Sequence, residues 1–192
     1  MNQVLVIQSS PNECGLTASL ARAAREGAQE QGARVALVHL NSRNIGPCAA
    51  CGDGWGHHFA KSSDRSPEEC ILKDDFADLR QQIIRADGLV FCSPVYFWDL
   101  SESAKTFLDR LRRCHYPVRT ASPLKGKPVV SIAAAGGSGN GAVEAARVLE
   151  DYFLKWMDMR RVATLPVTRQ TAEMHLEAAH SAAKLLVEAT TA

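Results

Sequence analysis

Five apolar runs of strand length constrain this chain more than any other feature: QVLVIQ (3–8), RVALVHL (34–40), DGLVFCS (87–93), PVVSIAAA (128–135) and RVATLPV (161–167). Each is nearly continuous rather than alternating, the pattern of a parallel strand covered on both faces. The segments between them carry helical period. Leu16, Leu20, Ala24 and Ala28 repeat every four residues, Ala104, Phe107, Leu108 and Leu111 form one stripe, and Ala172, Leu176, Ala179, Ala183 and Leu186 form another. Strands alternating with helices predict an open, doubly wound α/β sheet of three layers, with five parallel strands in the order 2-1-3-4-5 and right-handed crossovers.

A chain of 192 residues fits one domain over 1–192. One stretch departs from the alternation. Residues 44–73 form a long polar connection carrying Cys48, Cys51, Cys70, His57 and His58. Connections that long in a compact domain are usually functional or mobile.

Ligands of doubly wound sheets bind beyond the carboxyl ends of the strands, where the strand order reverses. After the first strand stands QSSPNECGLTASL, residues 8–20. Ser9, Ser10 and Thr17 offer hydroxyls, Asn12 an amide, and Gly15 a close backbone approach. The helix that follows aims unpaired N–H groups and its positive dipole end at the same spot. A plain serine cap and tight turn would use the same residues. The loop has neither the GxGxxG dinucleotide fingerprint nor GxxxxGK[ST], which leaves a hydroxyl-rich cup suited to a terminal phosphate monoester.

Two further loops leave the neighbouring strands on the same edge. SPVYFWDLS (93–101) places Tyr96, Phe97 and Trp98 where a chain is ordinarily polar, and AAAGGSGNG (133–141) has four glycines among nine residues. Aromatics at a strand end serve a core, a subunit interface or a wall for a flat ligand. Glycines there serve a flexible turn or the approach of backbone to a planar ring. Phosphate cup, aromatic wall and glycine platform together describe a flavin mononucleotide site.

At these loops, and over most of the chain from VLVIQSSPNECGLT through PCAAC, KDDF, ADGLVFCSPVYFWDLS, AKTFLDR and LKGKPVVSIAAAGGSGNG to the final helix, the sequence resembles the NAD(P)H-dependent FMN reductase family of flavodoxin-like proteins, including its iron–sulfur flavoprotein branch. SPVYF followed by AKTFLDR is the most specific part. The resemblance implies that Ser10, Thr17 and the amides near Leu16 and Ala18 hold the FMN phosphate, with Asn12 in the same loop. It implies that Pro94, Val95, Tyr96 and Phe97 frame the isoalloxazine ring, and that Gly136 and Gly137 line its other edge. Asn12 stands where the family commonly has a basic residue and Leu16 where it commonly has asparagine; each change removes a polar contact to phosphate. Trp98 stands where a smaller residue is common.

The activity implied is two-electron transfer from NADPH or NADH through FMN to a small-molecule acceptor such as a flavin or quinone. No catalytic side chain is assigned, because hydride transfer to a flavin requires no protein acid or base. Asp109 and Arg110, on the helix after the aromatic loop, read as an ion pair bracing that helix. The family also implies a homodimer or homotetramer.

PCAACGDG (47–54) has the CxxC spacing of metals, iron–sulfur clusters and redox dithiols. The iron–sulfur branch would need a third cysteine where Gly54 stands. No metal is therefore assigned, and Cys48, Cys51 and Cys70, with one of the histidines as a possible fourth ligand, remain candidates for zinc. Cys92, in an apolar run, reads as a buried thiol.

With 22 basic and 21 acidic residues, the formal net charge of +1 offers no footprint for nucleic acid or an anionic membrane. Nor does it give the acidic bias of a flavodoxin-type electron carrier, the alternative to an enzyme. No apolar run is long enough to span a bilayer, and the N-terminus lacks a signal-peptide pattern. A reducing cytoplasm suits the six cysteines.

Overall fold

The computed structural model describes residues 1–51, 70–115 and 122–191. The chain order is β1 (Gln3–Gln8), α1 (Leu16–Glu30), β2 (Arg34–His39), α2 (Phe76–Arg85), β3 (Gly88–Tyr96), β4 (Asp99–Leu100), α3 (Glu102–His115), β5 (Pro128–Ala135), α4 (Ala142–Arg147), α5 (Lys155–Met157), β6 (Arg160–Thr168) and α6 (Ala172–Ala189). A π-helical stretch, Val148–Leu154, joins α4 to α5 without a break.

The sheet runs β2-β1-β3-β5-β6, all parallel, with β4 pairing antiparallel to β3. The five long strands thus take the expected flavodoxin-like order. The short β4 is the addition, making six strands in all. It escapes a periodicity reading because it is two residues long.

Burial on both faces explains the continuous apolar runs of the inner strands β1, β3 and β5; the edge strands β2 and β6 are half-buried. Val4 and Val6 point into a core layer with Leu20, Ala24, Val90, Ile132, Ala183 and Leu186, beneath α1 and α6. Leu5 and Ile7 point the other way, into a layer with Phe76, Phe91, Phe107, Leu111 and Phe153, beneath α2, α3 and the α4–α5 helix. Leu5, Ile7, Val6, Leu89 and Phe91 are all buried, so each face excludes water at full strand length.

The helix expected over 104–111 runs from Glu102 to His115. Asp109 and Arg110 do not pair with each other. Neighbours in a helix point about 100° apart, and each finds its own partner. Asp109 meets Lys105 at 3.6 Å, one turn back, at the surface. Arg110 turns inward and is 1% exposed. It grips the Asp74 carboxylate with both terminal nitrogens, at 2.6 and 2.9 Å, and stacks 4.3 Å over the Phe76 ring. It also donates to the Gly46 carbonyl and to the Cys70 sulfur, each at 3.1 Å. A buried cation needs such a set of partners. The clamp fastens both ends of the cysteine-bearing connection to α3.

Candidate functional site

The β order places the reversal point between β1 and β3, since β2 lies to one side of β1 and β3 to the other. The loops after β1, β3 and β5 therefore leave three adjacent strands in the same direction.

The first loop is built on Gln8, whose side chain is fully buried. Its Oε1 accepts the Ser10 N–H at 2.6 Å, and its Nε2 donates to the Ser10 carbonyl at 3.2 Å and to His39 Nδ1 at 2.8 Å. Because the Ser10 N–H fixes which end of the amide is oxygen, His39 accepts at Nδ1 and carries its proton on Nε2. Ser10 Oγ then accepts the Asn12 N–H at 3.1 Å, and Asn12 Oδ1 accepts the Cys14 N–H at 3.0 Å. The loop is thus preorganised by its own side chains.

Helix α1 opens from this loop with Gly15 at its N-cap, no side-chain cap and no acidic residue in its first turn. Its first free N–H groups, at Leu16, Thr17 and Ala18, are the groups an anion would occupy. Thr17 is 4% exposed, and no hydrogen bond joins its hydroxyl to another described residue. An unpartnered hydroxyl beside uncapped amides is a site for an oxyanion.

Ser9 is different. Its carbonyl receives Asn41 Nδ2 at 2.7 Å and the hydroxyls of Ser101 and Ser103 at 3.1 Å each. Its own hydroxyl sits 3.3 Å from the Cys92 carbonyl and 2.8 Å from Ser101 Oγ. The expectation that Ser9 offers its hydroxyl to a ligand is therefore corrected: it points into the protein and ties the first loop to the second. The Ser101 N–H in turn donates to Ser93 Oγ at 3.1 Å. Asn41, Ser101 and Ser103 were not legible as site residues. The only signal for Ser101 and Ser103 was two serines at the start of a helix.

The second loop is a two-residue hairpin turn. Val95 pairs with Leu100 and Tyr96 with Asp99, leaving Phe97 and Trp98 at the tip with φ of 49° and 68°. Positive φ at both positions is the geometry of the primed hairpin turn, ordinarily filled by Asn-Gly. Bulky aromatics there cost about 1–2 kcal/mol each. Yet Phe97 is 100% exposed and Trp98 57% exposed, so packing among the described residues repays none of that cost at Phe97 and only part of it at Trp98. Pro94 is buried, Val95 half-buried and Tyr96 exposed.

The third loop abuts this hairpin. Gly141 has φ of 83°, and a methyl there would lie 2.7 Å from the Trp98 Cα and 3.0 Å from Val95 Cγ1. Methyls at Gly136 and Gly137 would meet no atom within 4 Å. Ser10, Thr17, Leu16 and Ala18 from the first loop, Pro94 to Phe97 from the second, and Gly136 and Gly137 from the third thus lie along one edge of the sheet. Asn12 is on the same loop but exposed, with its side chain folded over Gly15. These residues fit FMN: an uncapped helix start for its phosphate, and aromatic and glycine walls for its ring.

Cys48, Cys51 and Cys70 are half-buried free thiols, Cys14 is exposed, and Cys92 and Cys114 are buried. Burial pushes the Cys114 thiol up to about 12 and the Cys92 thiol higher still, so neither is a nucleophile. Among the described residues no three His, Cys, Asp or Glu side chains converge on a point where a metal ion could sit. The residues described do not fit a cluster. His57 and His58 lie outside the described residues.

Fold and rim define a flavodoxin-like α/β protein with a place for a phosphate-bearing planar ligand. The chain belongs to the NADPH-dependent FMN reductase family, whose sequence profile matches residues 2–172. An iron–sulfur flavoprotein of Archaeoglobus fulgidus is 31% identical over 133 residues, 69% of this chain and 54% of that protein. An FMN-dependent NADH:quinone oxidoreductase of Streptomyces coelicolor is 25% identical over 140 residues, 72% of this chain and 64% of that protein. The chain thus spans between half and two thirds of the length of each of these relatives. Among solved structures, a NAD(P)H:quinone oxidoreductase from Methanothermobacter marburgensis superposes with a TM-score of 0.73 at 18% identity, covering 95% of this chain and 94% of that one.

Proposed function

We propose that this protein is an FMN-dependent NAD(P)H oxidoreductase of the quinone-reductase type. It passes two electrons from NADPH or NADH to a small acceptor such as a quinone or a flavin. The observation that carries this reading is the uncapped α1 N-terminus with the unpartnered Thr17 hydroxyl, on the same edge as an exposed aromatic hairpin and two open glycines. FMN bound there supplies the redox chemistry, accepting a hydride and releasing two electrons. The chain's own residues bind and orient. The Ser10–Ala18 loop holds the phosphate, Pro94 to Phe97 and Gly136–Gly137 frame the ring, and Trp98 narrows the space over it. Donor and acceptor take turns in that one slot, a ping-pong order.

The exposed Tyr96, Phe97 and Trp98 suit a second subunit that closes the pocket, so we place the protein as a homodimer or homotetramer. Six free thiols and a formal charge of +1 favour a cytoplasmic enzyme with small-molecule partners over a nucleic-acid binder or an acidic carrier. No helix among the described residues is long and apolar enough to cross a membrane.

Stopped-flow mixing of FMN-loaded protein with NADPH or NADH under anaerobic conditions tests the reading. Rapid bleaching of the flavin absorbance supports an enzyme. Bound flavin that neither nucleotide reduces would make the protein an electron carrier instead.

A further inference from the structure

Gln8 ends the first strand and holds the loop beyond it. Its carboxamide engages both backbone groups of Ser10: Oε1 accepts the N–H at 2.6 Å, and Nε2 donates to the carbonyl at 3.2 Å. The second Nε2 hydrogen goes to His39 Nδ1 at 2.8 Å. From Ser10 the bonds continue outward. Ser10 Oγ accepts the Asn12 N–H, and Asn12 Oδ1 accepts the Cys14 N–H. Cys14 immediately precedes Gly15, the N-cap of α1. His39 thus stands at the inner end of a relay that finishes where an anion would bind.

Sheet register sets this relay. His39, the last residue of β2, lies directly across from Gln8, the last of β1. By strand alternation both face the α1 layer, as Val4, Val6, Val35 and Leu37 do. The charged groups around them have other places. Arg22 donates to the Glu13 carbonyl and to Ser19 Oγ, and Glu30 meets His180 and Lys184. The side chains of Glu13, Arg25, Glu26 and Arg34 are exposed. Beyond β2, Arg43 pairs with Asp78 at 3.7 Å. Among the described residues the His39 ring has one hydrogen-bond partner, Gln8, and no ion pair.

The carboxamide satisfies Ser10 in one orientation, and that orientation presents an N–H to His39. The ring must answer with a lone pair, which the neutral form protonated on Nε2 supplies. A second proton, on Nδ1, sets donor against donor. Either the ring turns away and strands a hydrogen of the fully buried Gln8 amide, or the amide flips and both Ser10 bonds are lost. Each course loosens Ser10 and the amides beyond it. A cationic ring also attracts a phosphate, but His39 is half-buried, and water screens that attraction. The bonds of Gln8 are enclosed and have no such substitute.

We infer that neutral His39 is a positioning residue for the FMN phosphate, acting through Gln8 on the Ser10 loop, and that proton uptake at His39 weakens FMN binding. The inference rests on the flavin reading above and adds to it a residue from outside the three rim loops.

The test follows quenching of FMN fluorescence by the full-length apoprotein at pH 8 and pH 5.5, in the native chain, His39→Asn and His39→Leu. Asparagine keeps an acceptor near the place of Nδ1 and does not titrate; leucine has none. The phosphate of FMN takes up its own proton near pH ~6, an effect common to all three proteins. At pH 8, His39→Leu should bind FMN about tenfold more weakly than the native chain, with His39→Asn restoring most of that loss. Between pH 8 and pH 5.5 the native chain should lose about tenfold more affinity than His39→Asn. A second readout needs no flavin. In nitrogen-15 spectra of the apoprotein, the Ser10 and Asn12 amide signals should move with the titration of the His39 ring and stay in place in His39→Asn. Equal acid losses in native and His39→Asn protein, or Ser10 signals that stay still while the ring titrates, overturn the inference and leave the flavin reading intact. Native protein that outbinds His39→Asn at pH 5.5 also overturns it, and makes His39 a cationic attractor of the phosphate instead. If His39→Leu does not fold, the comparison of native protein with His39→Asn decides. Folded native protein that binds no FMN at either pH sinks the flavin reading and this inference with it.

Discussion

The hydroxyl of Ser101 lies 2.8 Å from the hydroxyl of Ser9, joining two residues 92 positions apart. With the Ser103 hydroxyl and Asn41 Nδ2 on the same Ser9 carbonyl, this buried contact holds the phosphate loop against the aromatic hairpin. Ser101→Ala removes the Ser101 hydroxyl from Ser9, whose carbonyl keeps Asn41 and Ser103 and whose hydroxyl keeps the Cys92 carbonyl, and costs about 0.5–1.5 kcal/mol. Urea denaturation will show that loss, and FMN affinity will fall about tenfold, because the loop is no longer fixed before the ligand arrives.

Thr17→Val separates a structural role from a ligand-binding one. Its hydroxyl bonds to no described residue, so the isosteric valine keeps the apoprotein's melting temperature unchanged or slightly raised. The same substitution weakens FMN by tenfold or more, read by quenching of flavin fluorescence. A hydroxyl used only for folding would show the opposite pattern.

The fold was legible wherever burial is two-sided. The inner strands β1, β3 and β5 announce themselves because both of their faces are buried, as where Val4 and Val6 face one core layer while Leu5 and Ile7 face the other. The edge strands β2 and β6 are half-buried and are legible from their apolar runs alone. The helix from Ala142 to Met157 was not legible, since its π-helical middle breaks the 3.6-residue period that betrays a helix. Arg110 was misassigned for a related reason. In DRLRRCH it looks like one more surface cation, and only the third dimension shows Asp74 facing it from 36 residues away. Nor does any sequence rule place Phe97-Trp98 in a turn normally made by Asn-Gly.

That turn makes its own prediction. Replacing the tip with Phe97→Asn and Trp98→Gly supplies residues that tolerate positive φ. The apoprotein should gain about 1–3 kcal/mol, as relief of strain would give. Turnover with quinone acceptors should fall, since the aromatic surface over the slot is gone. Gain of stability with unchanged turnover would assign the aromatics no part in the reaction.

The two kinds of glycine should respond differently. Gly141→Ala drives a methyl into the Trp98 backbone at a positive φ and costs about 1–3 kcal/mol, visible in thermal melts of the apoprotein. Gly136→Ala meets open space. It will leave the apoprotein's melting point in place but weaken FMN, whose ring the methyl would meet.

Asp74 sets an acid limit. The hydrogen bonds donated by Arg110 hold its carboxyl below the usual carboxylate range. A depressed folded value means the pair's contribution is full above the ordinary carboxylate pKa and is lost as pH falls through the lowered one. Asp74→Asn strands a buried guanidinium and should cost about 3–5 kcal/mol at neutral pH. Urea midpoints measured from pH 7 down to pH 2.5 should show the variant losing less on acidification than the native protein.

The most direct measurement is the titration of purified apoprotein with FMN, followed by flavin fluorescence and the visible spectrum. The account predicts saturable quenching at one FMN per chain, a shifted flavin spectrum, and loss of both in Thr17→Val. Unquenched flavin throughout the titration, with the protein folded, would contradict it.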